Sequence, residues 1–455
     1  MNGSDALQGI KTACVIGTGV SGVSAAKLLS RHVERVIIFD QNENTDIEHV
    51  KELLGDYECE ILIGELPGEI LSHVNLCVPS PGVFPESEIF RAFKDHNIKI
   101  WGEIELAYKF EKGKVVAITG TNGKTTTTTL TGEILKAWNP ATFVVGNIGN
   151  PYTAEAEKTS EGSFSVAEIS SYQLETTETF HPMITAILNI TPDHLDRHHT
   201  MDEYARVKES ICGNQDEFDT CVLNYDDDRL RDFGTVCPAN VVWFGRLKKP
   251  PYGLWCHGDH IYLIEDGEER ELLNVNDTKL PGTHNYENIM AAFAMATAAG
   301  VPEELALDVI KNFKGVEHRI EFVRKRGGVN YFNDSKGTNT DAATKAIEAM
   351  KGPVILIAGG YDKKAEFDEF LEVFPGRVKE LVLVGETAGK IEETARRHGF
   401  TNCVQAGELD KAVEICARDA EPGDNVLLSP ACASWDQFKN FEERGRAFKK
   451  AVNAL

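Results

Sequence analysis

A glycine-rich turn that leads into Lys and Thr carries the strongest chemical signal in the chain. Residues 120–126 read Gly-Thr-Asn-Gly-Lys-Thr-Thr and follow the apolar run Val-Val-Ala-Ile at 115–118. Backbone N–H groups in such a turn point at an anion, the Lys reaches the β- and γ-phosphates, and the hydroxyl ligates Mg²⁺. The standard phosphate-loop pattern has Gly where this chain has Ile118. The sequence therefore predicts a shorter ATP loop, and a turn that binds no phosphate is the alternative.

A second glycine pattern lies near the N-terminus. Residues 17–22 read Gly-Thr-Gly-Val-Ser-Gly after a predicted strand, and Asp40 ends the next predicted strand. This is a dinucleotide-binding fingerprint, which makes an NAD-dependent dehydrogenase a competing interpretation. The pattern supplies only a turn that admits a diphosphate and a carboxylate that holds a ribose, so it also fits a UDP-sugar. The separate phosphate loop further along the chain favours the UDP-sugar.

Metal-binding side chains follow two apolar runs in the middle of the chain. Glu168 ends the first run, and residues 189–199, Asn-Ile-Thr-Pro-Asp-His-Leu-Asp-Arg-His-His, follow the second. Ligands bind at the carboxyl ends of parallel strands, so these groups predict Mg²⁺ ligands beside the loop. A zinc site is the alternative, although no Cys accompanies the cluster. We expect some of these side chains, His198 and His199 first, to be solvated loop residues.

Polar residues recur after predicted strands in the last third of the chain. Arg319 could deliver a guanidinium to a transferring phosphoryl group. Asn285, near the start of an Ala-rich helix, could cap that helix or hold a nucleotide. Loops at 333–339, 359–364 and 429–438 each follow a strand, which predicts a shared binding edge, with solvated loops as the alternative.

Short apolar runs that alternate with helical patterns predict an α/β protein built on parallel sheets. The runs form three units in series, with boundaries near residues 102 and 315. The predicted strands are 13–16, 36–39, 76–78, 115–119, 142–145, 165–168, 186–190, 354–357, 381–384 and 425–428, with a β-ribbon within 220–280 and a helix at 288–300.

Composition excludes several classes of partner. The 455 residues carry a formal net charge of −24, which argues against a nucleic-acid backbone or an anionic membrane. Ten Cys without a Cys-x-x-Cys pair fit reduced thiols in a cytosol. With no signal-peptide pattern and no apolar run that approaches 18 residues, we expect a cytoplasmic protein.

Taken together, the motifs resemble the Mur ligase family, the ATP-dependent amino-acid ligases of peptidoglycan synthesis, over essentially the whole chain. Family-wide features are the loop at 120–126, Glu-Ile-Ser-Ser-Tyr-Gln-Leu-Glu at 168–175, residues 189–197 and His-Asn-x-x-Asn at 284–288. Asn-Asp-Ser-Lys-Gly-Thr-Asn at 333–339 and the run at 429–445 resemble the D-glutamate-adding members. The Asp-Asn-Pro-Arg motif of the meso-diaminopimelate-adding members does not occur in the sequence.

The resemblance implies that D-glutamate is ligated to the carboxylate of UDP-N-acetylmuramoyl-L-alanine through an acyl phosphate, in cytoplasmic cell-wall synthesis. It implies a UDP-binding Rossmann-like domain at 1–102, a central P-loop ATPase-like domain at 103–315 and a Rossmann-like amino-acid-binding domain at 316–455. It also implies ATP, two Mg²⁺ ions, a carbamylated Lys208 and a monomer. Another Mur ligase or a folylpolyglutamate synthase is the nearest alternative. A dehydrogenase, or a binding protein without turnover, is the alternative from another class.

Residue roles carried over from the family are expectations of the same kind. Some relatives carry an Arg near the uracil where this chain has Gln41 and Asn42, which leaves base recognition open. The expected catalytic residues are Lys124, Glu168, His194, Lys208 and Arg319; the metal ligands are Thr125, Glu168, His194 and Lys208; the ATP ligands are Gly120, Thr121, Asn122, Gly123, Lys124, Thr125, Thr126, Asn285, Asn288, Arg319, Asp334 and Lys336; the UDP-substrate ligands are Val20, Ser21, Asp40, Ser80, Pro81, Gly82 and Asn147; and the D-glutamate ligands are Thr338, Lys363, Ser434 and Phe441.

Overall fold

The computed structural model describes residues 3–280, 282–362 and 365–455. The chain divides into two compact units. The first comprises Met1–Val275 and Glu287–Lys311, and the second comprises Asn276–Tyr286 and Asn312–Leu455. Two sheets lie in the first unit and one in the second, so the expectation of three α/β sheets in series is confirmed. The exact domain boundaries stay a prediction.

The N-terminal sheet is fully parallel, with strand order β3-β2-β1-β4-β5. The order reverses between β1 and β4, which is where open α/β sheets bind nucleotides. Every residue of β1 is buried, as expected for a central strand covered on both faces. The elements are β1 (Thr12–Ile16), β2 (Arg35–Asp40), β3 (Glu60–Ile63), β4 (Leu76–Pro79) and β5 (Lys99–Ile100), with α1 (Gly3–Ala6), α2 (Val20–Leu29), α3 (Ile47–Leu54), α4 (Gly68–Leu71), α5 (Glu88–Asp95) and α6 (Glu103–Phe110).

The middle sheet has nine strands in the order β14-β13-β12-β11-β10-β9-β6-β8-β7. It is parallel from β7 to β12 and ends in two antiparallel strands, the ribbon expected from the sequence. Its elements are β6 (Lys114–Thr119), β7 (Thr142–Gly146), β8 (Phe164–Glu168), β9 (Ile184–Ile187), β10 (Thr220–Asn224), β11 (Asn240–Gly245), β12 (Gly253–His257), β13 (His260–Glu265) and β14 (Glu268–Asn274), with α7 (Lys124–Trp138), α8 (Tyr152–Glu155), α9 (Ser171–Leu174), α10 (Leu195–His198), α11 (Met201–Glu209), α12 (Asp228–Gly234), α13 (His284–Ala298) and α14 (Glu303–Asn312).

The third sheet has the order β15-β16-β20-β17-β18-β19, and only the β15–β16 pair is antiparallel. Because β16, β20 and β17 are neighbours, the loops that follow them meet at one edge. The elements are β15 (Glu321–Arg326), β16 (Val329–Asn333), β17 (Val354–Ala358), β18 (Val378–Val384), β19 (Cys403–Gly407) and β20 (Asn425–Leu428), with α15 (Thr340–Glu348), α16 (Asp368–Glu372), α17 (Ala388–Arg397), α18 (Leu409–Asp419) and α19 (Phe441–Ala454).

Two of the predicted elements have wrong boundaries. The strand expected at 186–190 ends at Ile187, because the next residues leave the sheet to hold the phosphate loop. The Ala-rich helix expected at 288–300 begins earlier, at His284, and ends at Ala298. Asn285 therefore lies inside the helix and not before it, where a capping residue would stand. No helix in the described part of the chain is both long and apolar enough to cross a bilayer.

Candidate active site

The phosphate loop connects the central strand β6 to α7. Gly123 has a φ of +86°, and a Cβ there would lie 2.4 Å from Asn288 Oδ1, so only glycine fits without displacing that amide. The Asn122 N–H donates to Asn189 Oδ1 at 2.8 Å, and the Asn189 amide donates back to Asn122 O at 3.1 Å. α7 begins at Lys124, so the helix N-terminus adds positive potential beside the loop. The arrangement is a turn held in place by hydrogen bonds at the start of a helix, and it can receive an anion.

Two lysines converge on one carbonyl of this loop. Lys124 Nζ donates to Gly120 O at 2.7 Å and to Thr121 O at 2.9 Å. Lys208 Nζ donates to the same Gly120 O at 2.9 Å, although α11 lies far away in sequence. Lys208 is 1% exposed. Burial, and after it the charge on Lys124, lower the pKa of the Lys208 amine well below its usual range. A neutral amine at this position can react with CO₂, as carbamylation requires.

Glu168 presents an uncommitted oxygen next to the loop. It ends β8 and pairs with Ile118 of β6, two residues before the loop begins. Its Oε1 accepts a hydrogen bond from Asn147 Nδ2 at 2.7 Å. Its Oε2 is buried and finds no hydrogen-bond partner within the described residues. A buried carboxylate oxygen without a partner is costly unless a cation occupies the space in front of it, so the site fits Mg²⁺.

The loop after β9 is built from aromatic and charged side chains. His194 has a φ of +53° and its Nδ1 lies 2.9 Å from Tyr172 Oη, which orients the ring. His198 is only 2% exposed, so the expectation that it is solvated is wrong. Its Nε2 lies 3.0 Å from Ser171 Oγ and its ring packs against Tyr204. His199 is exposed, in agreement with the expectation.

Asp40 organises the N-terminal glycine turn. Its Oδ2 accepts hydrogen bonds from the Thr18 N–H at 3.0 Å and the Thr18 hydroxyl at 2.7 Å. Burial opposes ionisation, but these bonds and one from the Asn42 N–H lower the pKa of Asp40. Ser80 Oγ is buried and has no hydrogen-bond partner within the described residues. A Cβ on Gly17 would lie 2.5 Å from that hydroxyl, so the turn and the loop after β4 approach closely at the switch point.

Arg197 joins the loop after β9 to the loop after β4, and the sequence expectations did not give it a role. Its guanidinium donates to Pro81 O at 2.9 Å and to Val83 O at 3.1 Å. Glu175 holds the other side of the guanidinium, whose centre lies 4.0 Å from the Tyr172 ring centroid. Arg197 is 7% exposed. A buried, fully engaged guanidinium fixes two loops relative to each other within the first unit.

The second unit contains a buried acid beside a strained turn. Asp334 accepts hydrogen bonds from Ser429 Oγ at 2.7 Å and from the Ile320 N–H at 3.2 Å. Burial raises the pKa of Asp334 to about 6, against the opposing effects of the Ser429 bond and the charge on Arg319. His318 and Ile320 both have positive φ values, +65° and +46°. For Ile320, which is β-branched, such a value is unusual and indicates backbone strain. Arg319 lies between them, and its buried Nε has no hydrogen-bond partner in the described part of the chain.

The loops after β16, β17 and β20 meet as their strand order requires. Besides the bond from Ser429 to Asp334, the Gly359 N–H donates to Pro430 O at 2.8 Å and the Tyr361 N–H donates to Ala433 O at 3.0 Å. Arg444 of α19 lies beneath them, and its guanidinium donates to Ser335 Oγ at 3.0 Å and to the carbonyls of residues 432 and 433. Burial lowers the pKa of Arg444 to about 10. The structure thus forms the shared polar edge that the sequence predicts.

Matches with known families cover most of the chain. The family model described as "Mur ligase middle domain" matches residues 118–296. "Mur ligase, glutamate ligase domain" matches 318–432, and "Mur ligase MurD-like, N-terminal domain" matches 11–102.

The chain belongs to the Mur ligase family.

Proteins named UDP-N-acetylmuramoylalanine–D-glutamate ligase are close relatives of this Mur ligase. The protein of that name from Lachnospira eligens is 54% identical over 445 residues, which cover 98% of this chain and 99% of the relative. The one from Lachnoclostridium phytofermentans is 48% identical over 98% of both chains. Mur ligases form peptide bonds with ATP, so this chain is an ATP-dependent ligase and the dehydrogenase alternative is wrong.

Solved structures of other Mur ligases share the fold. MurC from Thermotoga maritima matches with a TM-score of 0.63 at 19% identity, over 98% of this chain and 99% of that chain. MurF from the same organism, solved in complex with ADP, matches with a TM-score of 0.59 at 17% identity, over 98% of this chain and 96% of that chain. At these identities the likeness concerns the fold alone.

The expected site residues of this Mur ligase differ in how closely the structure groups them. Lys208 donates a hydrogen bond to the loop at Gly120, Thr127 of α7 donates one to Asn288 Oδ1 at 3.2 Å, and Glu168 lies on the strand beside β6. In the second unit Lys336 Nζ lies 5.5 Å from the Phe441 ring centroid. Ser434 is buried and belongs to the loop after β20, which forms part of the shared polar edge. Thr338 is half-buried, whereas Val20 is 71% exposed at the start of α2. Lys363 lies outside the described residues.

Thr18, Tyr172, Arg197 and Arg444 were missed because a role for each depends on a contact with a distant part of the chain. Arg197 and Pro81 are 116 positions apart, and Arg444 and Ser335 are 109 apart. Their residue types alone do not distinguish them from surface side chains. A polar residue inside a motif, as Arg197 is in residues 189–197, is the one signal that could have drawn attention to it.

Proposed function

We propose that this Mur ligase joins D-glutamate to the carboxylate of UDP-N-acetylmuramoyl-L-alanine in an ATP-dependent step of peptidoglycan precursor synthesis. The observation that supports this acceptor most strongly is the identity of 54% to a D-glutamate ligase along nearly the full length of both chains. The run at 333–339 and the loop after β20, whose side chains form one polar edge in the second unit, support it as well. We propose that Thr338, Lys363, Ser434 and Phe441 bind D-glutamate.

The reaction begins with activation of a poor acyl donor. The substrate carboxylate attacks the γ-phosphorus of ATP, ADP leaves, and an acyl phosphate forms. We propose that the Lys124 ammonium, which donates to two loop carbonyls at 2.7 and 2.9 Å, stabilises the charge on the transferring phosphoryl group. We propose Asn122, Thr126 and Asn288 as further ATP ligands in the first unit. The ATP roles expected for Asn285, Arg319, Asp334 and Lys336 in the second unit stay predictions.

The second step forms the peptide bond. The neutral amine of D-glutamate attacks the carbonyl of the acyl phosphate, phosphate leaves, and the amine loses a proton. Hydrolysis competes with this attack, so the site must exclude water while the acyl phosphate exists. Asn147, bonded to Glu168 at 2.7 Å, is proposed to hold the substrate carboxylate, and Val20, Ser21, Asp40 and Ser80 to hold the uridine diphosphate.

Mg²⁺ would neutralise phosphoryl charge when it is bound. The residues present fit it, because Glu168 Oε2 is buried without a partner within the described residues and His194 is oriented by Tyr172. We propose Thr125, Glu168, His194 and a carbamylated Lys208 as ligands of the two expected Mg²⁺ ions. Carbamylation converts R–NH₂ and CO₂ into R–NH–COO⁻ and a proton, which replaces the neutral amine by an anion. We also propose a monomer in the cytoplasm.

A phosphate-release assay with a panel of acceptors tests the proposed function. Purified enzyme is given ATP, Mg²⁺ and UDP-N-acetylmuramoyl-L-alanine, together with D-glutamate, L-glutamate, L-alanine or L-lysine. We expect release with D-glutamate at a kcat/KM at least about a hundredfold above the other three, since a polar site rejects an acceptor that leaves its groups unpaired. Preference for another amino acid would identify a different Mur ligase. Release that needs no amino acid would contradict the ligase reaction.

A further inference from the structure

Three cysteines from three different elements meet at β10 of the middle sheet. Cys212 follows α11, Cys221 lies on β10 and Cys237 follows α12. Their sulfur atoms all lie within 4.8 Å of one another. The Sγ atoms of Cys212 and Cys221 are 3.3 Å apart. The reaction proposed above uses none of these thiols, and their spacing matches no Cys motif in the sequence.

The distances exclude a disulfide, and they fit either hydrogen-bonded thiols or thiolates that surround an ion after a small outward shift. A disulfide has an S–S length of about 2.05 Å, well below the 3.3 Å between Cys212 and Cys221. Three sulfurs that each lie about 2.3 Å from a central ion stand about 4 Å apart. Small shifts of the side chains would therefore place an ion at the centre of the triangle. Among the described residues no His, Asp or Glu joins the cluster as a fourth ligand.

Two of the three cysteines are buried, and the third is partly exposed to solvent. Cys212 and Cys221 are 0% exposed, and Thr185 of β9 places its hydroxyl 3.3 Å from Cys212 Sγ. Cys237 is only half-buried, so an ion could enter past it. Three soft ligands without a hard one select a thiophilic ion over Mg²⁺ or Ca²⁺.

We propose that Cys212, Cys221 and Cys237 form a binding site for a thiophilic d¹⁰ metal ion in three-coordinate geometry, with Cu(I) as the best match. Zn²⁺ is disfavoured because it takes four ligands in structural sites. Coordination by three thiolates releases the remaining thiol protons to solvent, and no electron is transferred. Such an ion would tie α11, β10 and the end of α12 together. Because Lys208 lies one helical turn before Cys212, the tie also braces the segment that carries Lys208.

Anaerobic titration of the reduced full-length protein with Cu(I), in competition with a colorimetric Cu(I) chelator, tests this proposal. Cys237→Ser removes the half-buried ligand, and Cys403→Ser removes a half-buried Cys on β19 in the second unit as the matched control. We expect one tight site in the wild type and in Cys403→Ser. The affinity should fall by at least about a hundredfold in Cys237→Ser, since loss of an outer-shell partner alone typically costs about 10- to 100-fold.

Two measurements on the wild type keep the proposal open to refutation if Cys237→Ser does not fold. With free Cu(I) about a hundredfold above its Kd, the melting temperature of the first unit should rise by roughly 4 °C. Cu(I) should also protect Cys237, but not Cys403, from alkylation by iodoacetamide, as read by peptide mass spectrometry. Equal alkylation of Cys237 with and without Cu(I) would overturn the proposal. A Cys212–Cys221 disulfide in protein purified under reductant, detected as a loss of two hydrogens, would overturn it too.

Discussion

Replacement of Lys208 by Ala is the perturbation that separates a carbamate from an ordinary buried lysine. The amine is 1% exposed and shares the Gly120 carbonyl with Lys124. The two nitrogens lie 2.7 and 2.9 Å from that oxygen, so they are at most about 5.6 Å apart. A protonated Lys208 would be repelled by the Lys124 ammonium by at least about 3 kcal/mol at an effective dielectric constant of about 20, and this repulsion adds to burial in lowering the pKa of the Lys208 amine. A carbamate on Lys208 would turn this repulsion into an attraction of similar size.

The expected loss of activity follows from the role of the missing anion. Removing one electrostatic partner of a reacting group typically costs about 2.7–4 kcal/mol, or about a hundred- to a thousandfold in kcat. Lys208→Ala should therefore lower kcat by at least about a hundredfold. It also leaves a space as long as the lysine stem, into which a short carboxylic acid can diffuse. Added acetate should restore a measurable part of the rate, because it supplies the anion that the carbamate provided.

The assay is phosphate release at saturating substrates, with acetate as the variable. Lys208→Met is the matched control, because its stem fills the space and leaves acetate no room. Lys124→Ala is the second control, since there a cation is missing and an acid cannot replace it. Binding of ¹³CO₂, read by ¹³C NMR, should give a carbamate signal in the wild type that is absent from Lys208→Ala. Full activity of Lys208→Ala, or equal rescue of all three variants by acetate, would refute the carbamate.

Further expectations concern the loop, the nucleotide, the buried acid and Arg197. Lys124→Ala should lower kcat at least about a hundredfold without a change in melting temperature. The control Lys136→Ala, which removes an exposed lysine at the other end of α7, should stay active. Similar losses of kcat in both variants would contradict a phosphate-binding role of the loop. UDP should raise the melting temperature and NAD should not, and the reverse order would favour the dinucleotide interpretation. Burial raises the pKa of Asp334 from 3.8 to about 6, so the native state binds the proton more tightly than the unfolded state does. Ionisation of Asp334 therefore lowers the free energy of unfolding by roughly 3 kcal/mol. This loss is complete above about pH 6 and absent below about pH 4. Asp334→Asn should therefore increase the free energy of unfolding at pH 7.5 but not at pH 4, measured by guanidinium titration, and an equal change at both values would contradict this sign. Arg197→Lys should raise the KM for the UDP-substrate by about tenfold and leave the KM for ATP nearly unchanged, and equal changes in both would argue for a general loss of structure.

Central strands could be predicted from the sequence because burial on both faces leaves a continuous apolar run. The runs at 13–16 and 354–357 coincide with strands in which every residue is buried. The end of the strand predicted at 186–190 was wrong because residue type does not reveal where the pairing of strands stops. The Leu188 N–H still donates to Thr119 O, but the chain then turns to the phosphate loop. The Leu188 carbonyl accepts its hydrogen bond from the Asn224 side-chain amide. Tertiary hydrogen bonds, and not local preference, ended that strand.

The candidate site could be predicted where its chemistry is encoded in one short segment. The loop around Lys124 needs only its own turn and helix, so its pattern carries the prediction. The solvation expected for His198 was wrong because its burial depends on Tyr204, and no local rule distinguishes it from the exposed His199. The lysine that shares the Gly120 carbonyl comes from α11, and without the family resemblance it would have remained an ordinary helix residue.

The guanidinium of Arg197 has a consequence for substrate length. It holds the carbonyls of Pro81 and Val83 while Glu175 anchors it from the other side. Under the binding mode proposed above, the loop after β4 would hold the diphosphate and Asn147 beside Glu168 would hold the substrate carboxylate. The distance between these two places would then be set by the protein. We therefore expect a sugar nucleotide with a single amino acid to fit this distance, and one with a longer peptide to carry its carboxylate beyond it.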